Sequence, residues 1–464
     1  MRSATFARTT TVVLVVFLCG IVLCLAYANK ARCAGEPFDD YGRSLVFDQV
    51  KDHDVCYSDI QFLWVERGLG QHDFPYINGG ITDGGTLTGG TVEYPVLTGV
   101  LMWLGGLPAH NDAQFLLASA LIMAPFGLAV GLMLGRMSGR AAYLWAIGPP
   151  LVLYGFHNWE LPVVASAVAA VYVVNATGLG PLRSRAFCAA VLLGFGTCLK
   201  LYPAAFVVAL MAYVLTGGVG GRELPPGAKG RFDVRGAVVT GAAALATVVA
   251  INLPFAIAGF DGWRASFTFQ QHREADITTN SIWFWGLRKL FVGGFDTNPT
   301  YNALVDVLSP ALVLGSFALA IWLGWRRLGS TGTYPWVGVS GAMLCGFLLF
   351  HKVFSPQYTL WLIPFLVLVR VPWRAIAAYL VADAAIGVGV FRFYDAISTD
   401  GPYNTLARVV EFGVWGRSAL LVYFFFVFVR APLRAPRAPD PVAVKQDNVV
   451  EEVSADSGNF VRTG

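Results

Sequence analysis

Charge is what this chain has least of. Only 13% of its 464 residues are Asp, Glu, Lys or Arg, against 56% hydrophobic, and the mean hydropathy is +0.58. That balance excludes an ordinary soluble domain, because several apolar runs approach or exceed the roughly 20 residues that carry a helix across a bilayer. Backbone polar groups in hydrocarbon must be satisfied internally, and these Leu-, Val- and Ala-rich segments read as helices rather than barrel strands. Metal-ligand spacing is absent from the seven cysteines. Cys19, Cys24, Cys188, Cys198 and Cys345 fall in or beside apolar runs, while Cys33 and Cys56 share one polar segment and are candidates for a disulfide. No internal repeat argues for the inverted halves of a transporter.

What is there is a regular alternation of apolar runs and basic turns. The first run, 10–28, follows Arg2 and Arg8, lacks a convincing small-residue cleavage site and reads as a retained span. Further spans are expected near 113–134, 141–157, 161–175, 187–200, 202–216, 236–259, 304–324, 334–350, 358–370, 375–391 and 404–429. Arginines and lysines gather at Arg136 and Arg140, Arg183 and Arg185, Arg222 to Arg235, Arg326 and Arg327, Arg370 and Arg374, and Arg430 to Arg437. The positive-inside rule then gives an all-α polytopic membrane protein of about twelve spans (10–13), with both termini cytoplasmic. The net charge of +4 is a topology signal, and no nucleic-acid partner is implied. Residues 1–430 form the membrane domain, with outer loops at 29–94 and 260–301 and a Gly/Pro-rich cytoplasmic linker at 217–236. The tail, 431–464, has the composition of a disordered segment.

The first outer loop is acidic and aromatic. Within it, Ile60 to Gly68 places apolar residues at 60, 63 and 64, the spacing of a short amphipathic helix lying in the interface, with Ser58 as its cap. Asp59 sits at the helix start, where the amide dipoles favour an ionised carboxylate suited to general-base work; the plain alternative is a helix cap on a solvated face. Further on, the apolar piece 96–107 ends at Pro108 and fits a half-inserted helix, which carries Glu93 and Tyr94 toward the same side. Tyr94-Pro95 also reads simply as a helix start with an aromatic belt residue.

The same topology puts other polar groups on the outer face: His157 to Glu160, Lys200, His272 and Arg273, and the segment His351-Lys352-Val353-Phe354-Ser355-Pro356-Gln357-Tyr358. Arg392 and Asp395 follow, where a simple pair is the plainer reading. Cations next to lipid on that face run against the usual bias. Together they describe a basic depression beside a carboxylate, suited to a phosphate head group whose tail stays in lipid. Group transfer from a lipid phosphate follows: basic residues stabilise the departing phosphate, and Asp59 deprotonates an attacking hydroxyl, inverting the anomeric centre. Neither a metal nor another cofactor is called for.

The motifs Tyr57-Ser58-Asp59-Ile60, Val92-Glu93-Tyr94-Pro95, Lys200-Leu201-Tyr202-Pro203 and Lys352 to Tyr358 running into Leu360-Trp361-Leu362-Ile363-Pro364 resemble the GT-C superfamily of polytopic glycosyltransferases. More narrowly, they resemble glycosyltransferase family 87, which includes polyprenol-phosphate-mannose-dependent α-1,2-mannosyltransferases of phosphatidylinositol mannoside synthesis. The resemblance, over roughly 10–430, implies a polyprenyl-phosphate hexose as donor, Asp59 as catalytic base and His351 near the active site. Lys352, Lys200, Gln357, Glu93, Tyr94, His157, His272 and Arg273 are the expected lining of the donor or acceptor cavity, with a glycolipid or glycan acceptor and membrane lipid as partners. The nearest rival is the same fold moving arabinofuranose or glucose. A transporter or lipid-linked sugar flippase would instead place ionisable groups mid-membrane, where Asp383 is the exception to the one-sided pattern. A structural membrane partner would leave the polar cluster unexplained.

Overall fold

The structure is a computed structural model that describes residues 2–225, 232–292 and 298–434. The centre of the expected linker (226–231) and the tail beyond 434 lie outside the described residues. The first half of the chain forms α1 (Arg2–Ala31), α2 (Leu45–Val50), α3 (Asp59–Glu66), α4 (Val96–Gly106), α5 (Asp112–Ser138), α6 (Tyr143–Ile147), α7 (Pro149–Tyr154), α8 (Leu161–Asn175), α9 (Leu182–Thr197) and α10 (Pro203–Leu215). The second half forms α11 (Val234–Ala258), α12 (Phe260–His272), α13 (Arg288–Phe291), α14 (Pro299–Thr331), α15 (Trp336–Phe350), α16 (Thr359–Leu368), α17 (Trp373–Ser398) and α18 (Tyr403–Arg430). A two-stranded antiparallel hairpin, β1 (Gly80–Ile81) with β2 (Leu87–Thr88), interrupts the first polar segment.

Local chemistry sets where the long helices begin. The side chains of Asn111, Asp233 and Asn298 accept from the amides of Gln114, Gly236 and Tyr301 at 2.9 Å, capping α5, α11 and α14. Prolines at the first turn start α8, α10 and α14 where a missing N–H costs nothing.

Among the described residues, seven helical stretches are long and apolar enough to cross a membrane, by length and composition: Arg8–Ala31, Asp112–Ile147, Pro203–Gly221, Val234–Ala258, Pro299–Thr331, Trp373–Ser398 and Tyr403–Arg430. The chain is thus a multi-pass membrane protein in composition, but the expected set of about twelve spans is not reproduced one for one. The run expected at 141–157 is broken at Gly148-Pro149 into α6 and α7, because Pro149 supplies no amide and restricts Gly148 to extended backbone. The run expected at 358–370 forms only ten helical residues, about 15 Å of rise, and all ten are buried. α16 is apolar on every side because protein, not lipid, surrounds it. α15 is the same case, with Trp336 to Phe350 buried almost throughout, whereas α11 and α14 turn Leu245, Ile257, Val307 and Leu314 outward.

The polar segments 29–94 and 260–301 are more structured than their composition suggests. α3 begins where the Ser58 hydroxyl accepts from the Ile60 amide at 3.2 Å, as expected. Its apolar face, however, is not laid on an interface: Ile60, Leu63 and Trp64 are buried against α5, with the Trp64 and Phe115 rings 5.4 Å apart. The 260–301 segment is not a loop either; α12, a π-helical turn at Ile282–Leu287 and α13 occupy most of its described part. α4 is an eleven-residue helix, as short as the half-inserted reading requires, and Gly99 lets it meet Tyr76, whose hydroxyl would lie 2.1 Å from any added Cβ.

Deep in the bundle, Asp383 of α17 accepts from Tyr154 (3.1 Å) and from Thr359, tying α17 to α7 and α16. It is buried and accepts on both oxygens, which gives it a structural use, and Arg417 of α18 is a second buried charged group within a span.

Cys33 and Cys56 are joined by a disulfide, with Cα atoms 5.7 Å apart and 23 residues between them in sequence. Replacing both with serine should cost about 3 kcal/mol by the loop-closure estimate, read as a lower thermal midpoint of the full chain in detergent.

Candidate active site

One set of helix ends meets around a cavity of about 450 Å³ that holds Asp59. Its floor is built by the start of α3 meeting the turn between α7 and α8. The Asp59 amide donates to the His157 carbonyl at 2.8 Å, and the Ser58 hydroxyl donates to the Phe156 carbonyl at 2.8 Å. Asp59 is therefore held by its backbone before its side chain is considered.

Among the described residues, the carboxylate is hydrogen-bonded by neutral donors alone. Tyr57 Oη donates to Oδ1 at 2.9 Å; Asn158 Nδ2 and Gln357 Nε2 donate to Oδ2 at 2.7 and 3.4 Å. A carboxylate offers about four lone-pair positions, so these three bonds leave one, on Oδ1, for a further donor. Burial and then the Asp59 charge push the Tyr57 phenol well above its ordinary range, so it stays a proton donor. Tyr94 is shifted the same way by the same causes, and its oxygen accepts from Asn158 at 2.7 Å.

Cations around the cavity divide into engaged and free. Arg67 makes a two-point pair with Glu93, at 2.8 and 3.2 Å. Lys200 lies 3.2 Å from the buried Glu160 carboxylate, donates to Asn158 Oδ1 at 3.1 Å and sits 3.9 Å from the centre of the Tyr94 ring. Glu160 in turn accepts from the Trp361 indole. Lys51 pairs with Asp48. Arg273, just past the end of α12, lines the cavity with no hydrogen-bond or ion-pair partner among the described residues.

Of the expected lining residues, Asp59, Glu93, Tyr94, His157, Lys200, Arg273 and Gln357 share this one cavity. Lys200 is brought in as a committed ion-pair partner rather than the expected open phosphate site. Glu93 likewise serves as the counter-ion of Arg67.

His351 and Lys352 do not line the Asp59 cavity. They line an adjoining groove of about 550 Å³ with Gln271, Asp306 and the α14 residues Pro310, Val313 and Leu314. Lys352 is paired there with Asp306 at 2.7 Å. The His351 ring stacks on Phe347, and its Nδ1 lies 2.8 Å from the Val353 carbonyl. The Val353 amide also lies 3.2 Å from the same Nδ1, so the Val353 backbone offers that nitrogen both an acceptor and a donor. Burial lowers the imidazole pKa, and the Lys352 and Arg273 charges lower it further, so the neutral form prevails at pH 7. His272 is exposed and lines neither recess.

Several residues at the centre escaped the sequence reading. Asn158, inside the conspicuous His157 to Glu160 turn, contacts Asp59, Tyr94 and Lys200 at once. Lys30 is the other: buried at the end of α1, it donates to the Tyr57 carbonyl at 2.8 Å and lies 3.4 Å from His157 Nδ1. A lysine at the last turn of an apolar helix reads as an interfacial anchor, and nothing in sequence distinguishes this one.

No protein-family model matches the chain, and no curated protein matches it. Among solved structures it is similar to the oligosaccharyltransferase of Archaeoglobus fulgidus in the apo form, with a TM-score of 0.35 and 12% identity, over 98% of this chain and 61% of that one. The chain thus spans 61% of the length of that structure. A likeness at this level fixes neither fold nor chemistry, and the functional reading rests on the cavity.

Proposed function

We propose that the chain is an inverting glycosyltransferase of the GT-C type, close in kind to family 87. It moves a hexose, mannose in the first instance, from a polyprenyl phosphate to a glycolipid or cell-envelope glycan. The observation that carries this reading is the pairing, in one cavity, of a carboxylate held by neutral donors with an arginine that has no partner of its own: Asp59 and Arg273.

In the proposed step, the acceptor hydroxyl gives its proton to the remaining position on Asp59 Oδ1 as its oxygen attacks the anomeric carbon. The bond from that carbon to the phosphate oxygen breaks, and polyprenyl phosphate leaves with the electron pair. The Arg273 guanidinium compensates the charge that collects on the leaving phosphate, so no metal is required. One displacement inverts the anomeric centre.

Gln271 faces the α14 groove while Arg273 faces the cavity, so the end of α12 lies between the two recesses. A donor with its phosphate at Arg273 would run its tail past His351 toward Val313 and Leu314, into lipid. The basic ends of the helices support a location in the cell membrane with cytoplasmic termini. Arg8 meets the end of α5 at Arg136, and Arg183 pairs with Asp233, at the opposite end from the cavity. The cavity then faces the extracytoplasmic side.

Purified full chain in nanodiscs, given radiolabelled polyprenyl-phosphate mannose and membrane lipid extract with or without chelator, tests the reading. Asp59→Asn should lower turnover roughly 100- to 10,000-fold, the span for losing a general base; wild-type turnover in this variant would remove Asp59 from the step. Arg273→Gln and Asn158→Leu should each cost roughly ten- to a hundred-fold, as expected for lost bonds to charged groups. His351→Ala should raise the donor KM more than it lowers kcat. Product NMR showing retention at the anomeric carbon would exclude single displacement, and transfer of arabinofuranose or glucose in place of mannose would reassign the donor.

A further inference from the structure

Asp52 lines the same cavity as Asp59 but takes no part in the step above. It is half-buried, and among the described residues it has no hydrogen-bond or ion-pair partner. The turn that carries it is nevertheless fastened from three directions. The Cys33–Cys56 disulfide anchors its far end to the base of α1. Arg32 donates to the Asp54 carbonyl at 2.6 Å, and Arg392 of α17 donates to the His53 carbonyl at 2.6 Å. A carboxylate so firmly placed, and left without a partner, is preorganised for something outside the chain.

The neighbouring wall is aromatic. Tyr57 and Phe391 stack with centroids 5.5 Å apart, and Tyr394 is fixed by donation to the Ile277 carbonyl at 2.9 Å. Flat apolar faces beside a carboxylate match the two surfaces of a pyranose: C–H groups on one side, adjacent hydroxyl donors on the other. A phosphate is disfavoured here, because Asp48 and Asp395 add negative charge to that of Asp52 and Lys51 is already paired with Asp48.

We propose that Asp52, with Tyr394 and the Tyr57–Phe391 pair, is the subsite that binds the acceptor sugar, the carboxylate accepting from two adjacent hydroxyls of a neutral hexose. This rests on the glycosyltransferase reading, which it deepens by assigning the two ends of the cavity: donor phosphate at Arg273, acceptor sugar at Asp52.

The subsite has a pH signature. Burial pushes the Asp52 carboxyl up to about 6; Lys51 opposes the shift, while Asp395 and Asp48 add to it. The facing groups from α17 are Asp395, Arg392 and Tyr394, and those of its own turn are Asp48, Lys51 and His53. The accepting form is present above pH 6, so sugar binding should weaken as the pH falls through 6.

Binding of methyl α-D-mannopyranoside to the full chain in nanodiscs, followed by saturation-transfer NMR from pH 5 to 7.5, reads this without turnover. Wild type should bind at pH 7.5 and lose affinity below pH 6. Asp52→Asn, nearly the same shape, should bind roughly ten-fold more weakly at pH 7.5, as for one lost bond to a charged group, with a flat pH profile. No binding by wild type, equal binding by Asp52→Asn, or an unchanged pH profile in that variant would each overturn the assignment. Because this assay contains no donor and reads no turnover, loss of sugar binding and absence of transfer from a polyprenyl phosphate are scored separately.

Discussion

The cavity depends on one junction, where the start of α3 is bonded to the turn between α7 and α8. In a chain surrounded by lipid, backbone groups of a non-helical segment must find partners within the protein. Here the Asp59 amide takes the His157 carbonyl, the Ser58 hydroxyl takes that of Phe156, and the Asn158 amide returns to the Asp59 carboxylate. Two irregular segments, far apart in sequence, complete one another's hydrogen bonding. The same exchange fixes the carboxylate in space, so the structural requirement and the catalytic one proposed above would be met by the same atoms. Lys30 extends the junction to α1 through the Tyr57 carbonyl, and Gln357 extends it to the turn before α16.

Hydropathy made the long outer helices legible, because a run such as 236–259 has lipid on most of its surface and needs only to be long and greasy. It failed where a helix is greasy for another reason. α16 and α15 satisfy the same composition, yet protein encloses them on all sides, so apolar character alone cannot separate a lipid-facing helix from a buried one. Local capping chemistry was more readable: Ser58 before α3 is a short-range signal, and it acts as such. What α3 packs against is long-range, and that was not visible. The same holds for 260–301, where aromatic residues among polar ones read as a loop but form α12, the π-helical turn and α13, of which the end of α12 reaches the cavity.

Within the candidate site, residue types were legible and their engagement was not. Lys200, between apolar runs, and Arg273, in the polar stretch Gln270 to Glu274, both read in sequence simply as cations of the expected cavity. Only the fold reveals that Lys200 is held by Glu160, 40 residues away in the chain, while Arg273 is left open. His351 illustrates the converse: its segment is the most conspicuous in the chain, but its ring lines the α14 groove and its Nδ1 is engaged by the Val353 backbone. Asn158 was passed over because an amide carries no charge. Its value here comes from having donors and an acceptor on one rigid group, which only a convergence of three elements can use.

The pairing of charges also explains how acid and base functions coexist in a small recess. Had Asp59 formed an ion pair with a lysine or arginine, its proton affinity would fall and it would make a poor base. Instead the surrounding ions are matched with one another, Arg67 with Glu93, Lys200 with Glu160 and Lys51 with Asp48. The matched pairs contribute little net field, so the charged groups without an ion-pair partner among the described residues stand out: Asp59 on the floor, Lys30 on the Tyr57 carbonyl, Arg273 toward the α14 groove and Asp52 on the fastened turn. On the reading proposed above, a phosphate is drawn to Arg273 and a polyol to the second carboxylate, with Asp59 between their chemistries. Such a division would be lost if any one of the three pairs were broken, because the released partner would be drawn to one of the unmatched groups.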